Sequence, residues 1–247
     1  MSSGSARIPR FHVPDALTPG VELALAPDAG HHASRVLRMR EGDAVCLFNG
    51  QGGEHAARIV AISRDRVSVL VGDFRPLKRE SPLHVTLLQA VSSGDRMDLT
   101  LQKAVELGVA AVQPVLAERS VVRLKGDRGE SRREHWQRVA VSACEQCGRN
   151  RVPPVASPIA LADYQAPEDS LKLLLAPTGA TALRSVGVTA GKPVVLAAGP
   201  ESGFSPREEA MLVSAGFVPV RLGPRILRTE TAGPAALAAL NAIYGDG

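Results

Sequence analysis

The sequence predicts an α/β protein in which a small β-rich domain precedes a parallel sheet. Three observations carry this. Residues 1–75 hold short apolar runs separated by turn residues, with one helical stretch among them. From residue 76 onward, strand-like runs alternate with helical patterns, and strands spaced by helices imply a parallel sheet covered on both faces. Two glycine- and proline-rich stretches near the C-terminus each follow an apolar run and precede a helical pattern, as strand-to-helix loops do.

The N-terminus, Met1-Ser2-Ser3-Gly4-Ser5, is polar and expected to fray. Val21–Leu25, Ala44–Phe48, Ala56–Ile62 and Val67–Val71 read as strands, with Asn49-Gly50 and Gly52-Gly53 as turns between the second and third. His31–Arg40 is the helical candidate, and a small β-barrel fits the set. Phe74 to Pro82, with two prolines and mixed charge, is the natural linker, so the domains are expected at 1–75 and 76–247. Leu83–Val91, Ala111–Leu116, Leu171–Leu175, Val194–Ala198 and Phe217–Val220 then read as strands. Met97–Leu107, Arg132–Gly148, a stretch from Pro206 and Thr231–Tyr244 read as helices.

The two loops are Gly199-Pro200-Glu201-Ser202-Gly203-Phe204-Ser205-Pro206 and Leu222-Gly223-Pro224-Arg225-Ile226-Leu227-Arg228-Thr229-Glu230-Thr231-Ala232. In open α/β sheets ligands bind beyond the carboxyl ends of the strands, so the pair marks a candidate site. Glycine lets backbone approach a ligand closely, and proline stiffens a loop before binding. The first loop lacks the Gly-Lys-Ser/Thr ending of a phosphate-cradling loop, and Ser202 is out of register for a nucleophile elbow. No dinucleotide fingerprint occurs in the chain. Ser205, Pro206 and Glu208 spell a capping box for the helix that follows.

Together the loops resemble the cofactor site of the SPOUT superfamily of S-adenosylmethionine-dependent RNA methyltransferases. Within it they resemble the bacterial family that methylates N3 of a uridine in small-subunit (16S) ribosomal RNA. That family carries a Gly-Pro-Glu-Gly-Gly-Phe loop and a Leu-Gly-x-Arg-Ile-Leu-Arg-x-Glu-Thr-Ala loop. The second matches without a gap. The first departs once, at Ser202, where the family has glycine; a need for positive φ there would strain serine and adjust the cofactor grip. Three further blocks extend the resemblance over nearly the whole chain: His31-His32-Ala33-Ser34-Arg35-Val36-Leu37-Arg38 with Gly42-Asp43, Asp95-Arg96-Met97-Asp98 leading to Gln102–Val109, and Glu145-Gln146-Cys147-Gly148-Arg149-Asn150-Arg151-Val152-Pro153.

The resemblance implies a PUA-like β-barrel followed by a SPOUT-type sheet with a C-terminal trefoil knot. It also implies S-adenosyl-L-methionine as cofactor, a homodimer formed through the C-terminal domain, and 16S rRNA as partner, within the small ribosomal subunit. The cofactor residues it carries over are Gly199, Pro200, Glu201, Gly203, Leu222, Gly223, Ile226, Leu227 and Ala232, joined by Leu175 at the end of an earlier strand. Two other readings stay open: a related enzyme with another RNA target, such as a ribose 2′-hydroxyl or a different base, and a non-catalytic RNA-binding assembly factor with the same fold.

A net charge of +4 is only mildly basic, so the distribution says more than the total. Between Arg119 and Arg151 there are nine Arg or Lys against four acids, an excess that could follow a phosphate backbone. Arginine outnumbers lysine 24 to 5, which suits forked recognition of phosphates and bases, although a GC-rich genome would give the same bias. Arg35 and Arg38, at i and i+3 of the helical candidate, share a face; with Arg10, Arg149 and Arg151 they are the RNA-contact candidates.

Three cysteines, an odd number, and the lack of a secretory apolar segment favour a reducing compartment, with cytoplasm the expectation. Cys144-Glu145-Gln146-Cys147 falls late in a helical pattern in which Trp136, Val139, Ala140, Ala143 and Cys147 recur, so Cys147 reads as core. No second pair completes a zinc site, and the histidines have no metal spacing, so no metal is expected. No apolar run approaches the roughly 18 residues of a membrane span.

Methyl transfer from a sulfonium needs in-line geometry and a nucleophile made available. The N3 of uridine carries a proton and is a poor nucleophile until it is lost. A carboxylate could accept that proton, and a cation near O2 or O4 could stabilise the anion. Arg228 and Glu230 offer both chemistries and are the catalytic candidates; an ion pair between them that shapes the loop is the competing reading. Lys103 and Glu106, at i and i+3, read as a helix-surface pair.

Overall fold

The computed structural model describes residues 8–64, 66–120, 127–189 and 191–247. The N-terminal Met1–Ser5 and two members of the basic stretch, Arg123 and Lys125, lie outside the described residues. Contacts divide the chain into two compact units, one of residues 1–80 with 144–152 and one of residues 81–143 with 153–247.

In the first unit β1 (Arg10–His12), β2 (Glu22–Ala24), β3 (Ala44–Phe48), β4 (Glu54–Ser63) and β5 (Arg66–Arg75) form one sheet in the order β1-β3-β4-β5-β2. Side chains alternate across a strand, so Val67, Val69 and Val71 of β5 all point inward, joining Phe11, Leu25, Val45, Leu47 and Ile59 in one core. At the β3–β4 turn, Gly53 has φ +68, and a Cβ there would sit 2.3 Å from the exposed Phe74 ring, so a side chain would be strained and would displace that ring.

The helical candidate His31–Arg40 is displaced. Helix α1 begins earlier, at Pro27–His31, because proline suits the first helical position; a wider π turn, His32–Val36, follows and ends the helix. Leu37 N–H closes that turn on the His32 carbonyl at 2.9 Å, and Arg38 then adopts φ +53. Arg35 and Arg38 therefore do not share a helical face.

Segment 144–152, which the sequence reading kept with the second domain, belongs to the first unit. Gly52 N–H donates to the Asn150 carbonyl at 3.0 Å, and Asn150 Nδ2 donates to the Leu77 carbonyl at 3.1 Å. Such ties join residues far apart in sequence and leave no local pattern.

The second unit holds β6 (Val85–Ala90), α2 (Asp95–Glu106), β7 (Ala111–Leu116), most of α3 (Asp127–Cys147), β8 (Ile159–Ala160), β9 (Leu171–Leu175), β10 (Thr181–Ala182), β11 (Val194–Ala198), α4 (Pro206–Ser214), β12 (Val218–Arg221) and α5 (Thr229–Tyr244). The strands pair in parallel throughout, in the order β10-β12-β9-β11-β6-β7-β8. A sheet covered on both faces buries its strands completely, and all five residues of β11 are buried. One face packs Leu88, Val115, Leu174 and Ala197 against Leu212 of α4 and Phe217. On β6 and β11, α5 supplies Ala236, Leu237 and Leu240, all fully buried, and α5 also packs on α2.

Trp136, Ala140, Ala143 and Cys144 are the buried residues of α3. Cys147 is half-buried, so the core position expected of it is taken by Cys144 one turn earlier. Burial pushes the Cys144 thiol up to about 12, which suppresses thiolate and redox reactivity.

Candidate functional site

Strands β12, β9 and β11 are neighbours, and being parallel they end on one edge, at Arg221, Leu175 and Ala198. The chain leaving these three ends encloses a cavity of about 460 Å³. The structure brings all ten of the sequence-predicted cofactor residues to its wall: Leu175, Gly199, Pro200, Glu201, Gly203, Leu222, Gly223, Ile226, Leu227 and Ala232. Arg119, Thr178, Glu209, Arg225 and Thr229 also line it and were not singled out from sequence. Arg119 follows β7 and Thr178 follows β9, in stretches without a motif; the strand order that joins them to the loops is not written locally.

Four anchors shape the wall. Thr229 Oγ1 donates to the Gly199 carbonyl at 2.8 Å and accepts from the buried Gln89 Nε2 at 3.2 Å, tying the start of α5 to β6 and to the first loop. At Gly199 a Cβ would lie 3.0 Å from Phe204 N, so the loop folds back over a position that needs glycine. The expected capping box is present: Glu208 N–H donates to Ser205 Oγ at 3.2 Å, and Ser205 N–H donates to the Glu208 carboxylate at 2.8 Å. The other Glu208 oxygen accepts from Glu118 N–H at 2.7 Å, fastening the segment after β7 to the same helix start.

Glu201 is the fourth anchor. Its Oε1 accepts from Ser93 N–H, Ser93 Oγ and Arg96 Nη1, each at 3.0 Å. Burial works to raise its pKa, but the hydrogen bonds from Ser93 and Arg96 outweigh it and hold the carboxyl below its ordinary range. The motif blocks beginning at Asp95 and at Gly199 thus meet in space, and the Glu201 carboxylate is committed to holding the loop.

Ser202 is not among the described non-glycine residues of positive φ, which are Arg38 and Arg64, so the strain foreseen at that position is absent. Gly203 does have φ +71, with nothing within 4 Å of where a Cβ would stand, and Gly223 has φ +126 with the same open space. Both glycines therefore leave room for a ligand against bare backbone.

Arg228 and Glu230 do not line the cavity. Arg228 is the residue capping α5, where its carbonyl accepts from Thr231 N–H and Ala232 N–H at 2.9 Å, and its side chain is exposed. Glu230 lies in the first turn of α5, where a carboxylate complements the helix dipole. No ion pair joins them among the described residues.

The arginines proposed for RNA also divide. The Arg10 side chain is buried: its guanidinium is paired with Glu54, hydrogen-bonded to the Arg149 carbonyl at 3.2 Å, and stacked 4.9 Å over the Phe48 ring. Arg149 is buried with Nε on Glu80 at 2.8 Å. Both are structural, a correction to the sequence reading. Arg35, Arg38 and Arg151 are exposed. Lys103 and Glu106 form the expected surface pair at 2.9 Å. Among the described residues no group of three or more His, Cys, Asp or Glu converges as a metal site would, and no helix is long and apolar enough to cross a membrane.

Comparison with known families agrees with this geometry. The RNA methyltransferase domain matches residues 79–241, more than half of the chain. The chain belongs to the RNA methyltransferase family. An RNA methyltransferase PUA domain also matches, at residues 25–72, so the first unit carries a PUA-like domain. The chain is 32% identical to ribosomal RNA small subunit methyltransferase E of Buchnera aphidicola, over 97% of this chain and 95% of that protein. It is 34% identical to the Bacillus subtilis protein of the same name, over 85% of this chain and 86% of that protein. A crystal structure of ribosomal RNA small subunit methyltransferase E from Neisseria gonorrhoeae, bound to S-adenosyl methionine, superposes with a TM-score of 0.91 at 42% identity, covering 97% of this chain and 99% of that one.

Proposed function

We propose that this chain is an S-adenosylmethionine-dependent methyltransferase that modifies N3 of a uridine in 16S ribosomal RNA. The observation that carries the reading is the single cavity built from both C-terminal loops, in a chain that aligns end to end with enzymes of small-subunit rRNA. The wall suits the cofactor: bare backbone at Gly203 and Gly223, and apolar side chains at Leu175, Leu222, Ile226 and Leu227, fit a nucleoside bearing a short charged arm. When bound, S-adenosylmethionine supplies a methyl group already activated on sulfur. The chain's task is to hold the donor in line with N3 and to favour loss of the N3 proton.

RNA is bound through exposed arginines, with Arg35, Arg38 and Arg151 as the contacts. The active form is a homodimer joined through the C-terminal domain, and the substrate is the rRNA within the small ribosomal subunit. A C-terminal knot belongs to the same reading. It is supported by the insertion of β12 between β10 and β9, and by Gly179, where a Cβ would lie 2.9 Å from the Val220 backbone.

The test is to incubate the purified chain with S-adenosylmethionine and unmethylated small subunits, then digest the rRNA to nucleosides. N3-methyluridine supports the reading. Ribose 2′-O-methylation or another methylated base would change the target, and cofactor binding without methylation would make the chain an assembly factor.

A further inference from the structure

The cation sought in the second loop is not at the cavity, since Arg228 does not line it. Two other arginines do, Arg119 and Arg225. They differ in how they are held. Arg119 Nη1 donates to the carbonyls of Ser202 and Phe204, each at 3.4 Å, and Ser202 Oγ donates back to the Arg119 carbonyl at 3.4 Å. Carbonyl oxygens orient a guanidinium without cancelling its charge. By contrast, Arg96 is paired with Glu201 at 3.0 Å, and Arg207 faces Glu118 at 3.9 Å. The Arg225 side chain has no such anchor among the described residues, so fixing it would cost rotamer entropy.

We propose, resting on the function above, that Arg119 is a catalytic residue: a cation fixed beside the glycine-rich loop that stabilises the uridine anion through a base oxygen. In the step it serves, the N3–H proton passes to water, and the N3 electron pair forms the new N–C bond. The C–S bond breaks with its pair left on sulfur. A preoriented, uncancelled charge is what such a transition state needs, and arginine stays protonated throughout the working pH range. The charged groups around it are Glu209 and Arg225 on the same wall, Glu118 beside it in sequence, Glu208 holding the Glu118 amide, and Glu201 with Arg96 across the loop.

The experiment compares Arg119→Gln and Arg119→Lys with the unsubstituted enzyme, reading cofactor affinity by calorimetry, KM for small-subunit RNA, and kcat against pH. For Arg119→Gln the expected kcat at neutral pH falls about 10²-fold, the size of effect seen when one oriented transition-state donor is removed, with cofactor Kd and RNA KM within about twofold. The deficit should shrink as pH rises toward the pKa of free uridine N3, where the anion forms unaided, and Arg119→Lys should recover part of the rate. A rise in RNA KM alone would make Arg119 a phosphate contact and overturn the proposal. Weaker cofactor binding at unchanged kcat would make it a loop brace and overturn it equally. Absence of N3-methyluridine with the unsubstituted enzyme would instead fail the functional reading on which it rests.

Discussion

The arginines of the first unit and those at the second unit's cavity look alike in sequence and do opposite things. The side chains of Arg10 and Arg149 are buried, and carboxylates neutralise them. Arg119 and Arg225 are exposed at a cavity wall, and no carboxylate pairs with either among the described residues. What separates the two sets is the partner each meets after folding: Glu54 and Glu80 are 44 and 69 residues away from the arginines they hold. A cation with a buried carboxylate partner is part of the fold, and one steered by carbonyl oxygens retains its charge for a ligand.

The largest expected effect tests the buried set. Arg10→Ala leaves the Glu54 carboxylate buried, with the half-exposed Arg79 at 3.1 Å as its remaining cation, so the first unit should lose about 3 kcal/mol of stability. Faster amide hydrogen exchange in β3 and β4, with cofactor affinity unchanged, is the expected outcome. Normal protection of those strands would mean that Arg10 is dispensable and was wrongly separated from the exposed arginines.

Gly203→Val comes next. The position has φ +71, which a β-branched residue resists, and its Cβ would stand in the open space beside the cavity. Cofactor affinity should fall at least about tenfold, a loss of roughly 1–3 kcal/mol from backbone strain alone. Calorimetry on a folded variant checks it, and an unchanged Kd would remove the loop from the site.

The exposed arginines give the converse of the Arg10 test. Replacing Arg35 and Arg38 together with alanine should weaken RNA binding and reduce the slope of log affinity against log salt by about 1–2, because each phosphate contact releases counterions. Thermal stability should stay within about 0.5 kcal/mol of the starting protein. A loss of stability in place of RNA affinity would move both residues into the structural set.

Much of this architecture was legible because it is local. Alternating apolar residues, caps and turn glycines placed Ala44–Phe48, Ala111–Leu116, Leu171–Leu175 and Val194–Ala198 at their observed bounds. The cavity glycines were legible for the same reason, since a loop between strand and helix carries its own signature. The strand Arg10–His12 was missed because three residues beside a proline show no periodicity, and its pairing with β3 is parallel and distant. Arg119 was missed as a site residue because only the order of strands in the sheet brings the end of β7 near the loop after β11. Arg10 and Arg149 were misread because burial of a charge depends on a partner that no spacing rule supplies.

Glu201 offers a pH test of the cavity side. Its carboxyl titrates below the ordinary value of 4.5, so the loop anchor is fully present above that value and is lost as pH falls through the lowered pKa. Cofactor affinity should hold down to about pH 4.5 and decline below it. Glu201→Gln removes the charge facing Arg96 and should raise Kd about three- to tenfold at neutral pH, by loss of a charge-assisted hydrogen bond. The acid decline should then be absent. A decline of equal size in the variant would assign it to another group.

The smallest effect belongs to Ser202. The family's glycine predicted strain for a serine there, yet its backbone lies outside the left-handed region and its hydroxyl reaches the Arg119 carbonyl at 3.4 Å. Ser202→Gly would remove that long hydrogen bond and add freedom to the unliganded loop, a change of about 0.5–1 kcal/mol. Cofactor Kd should therefore rise by no more than about fivefold, with no gain in affinity. Tighter binding by the glycine variant would show that the serine is strained after all, and that the loop here is a weakened form of its relatives' rather than one fastened in a different way.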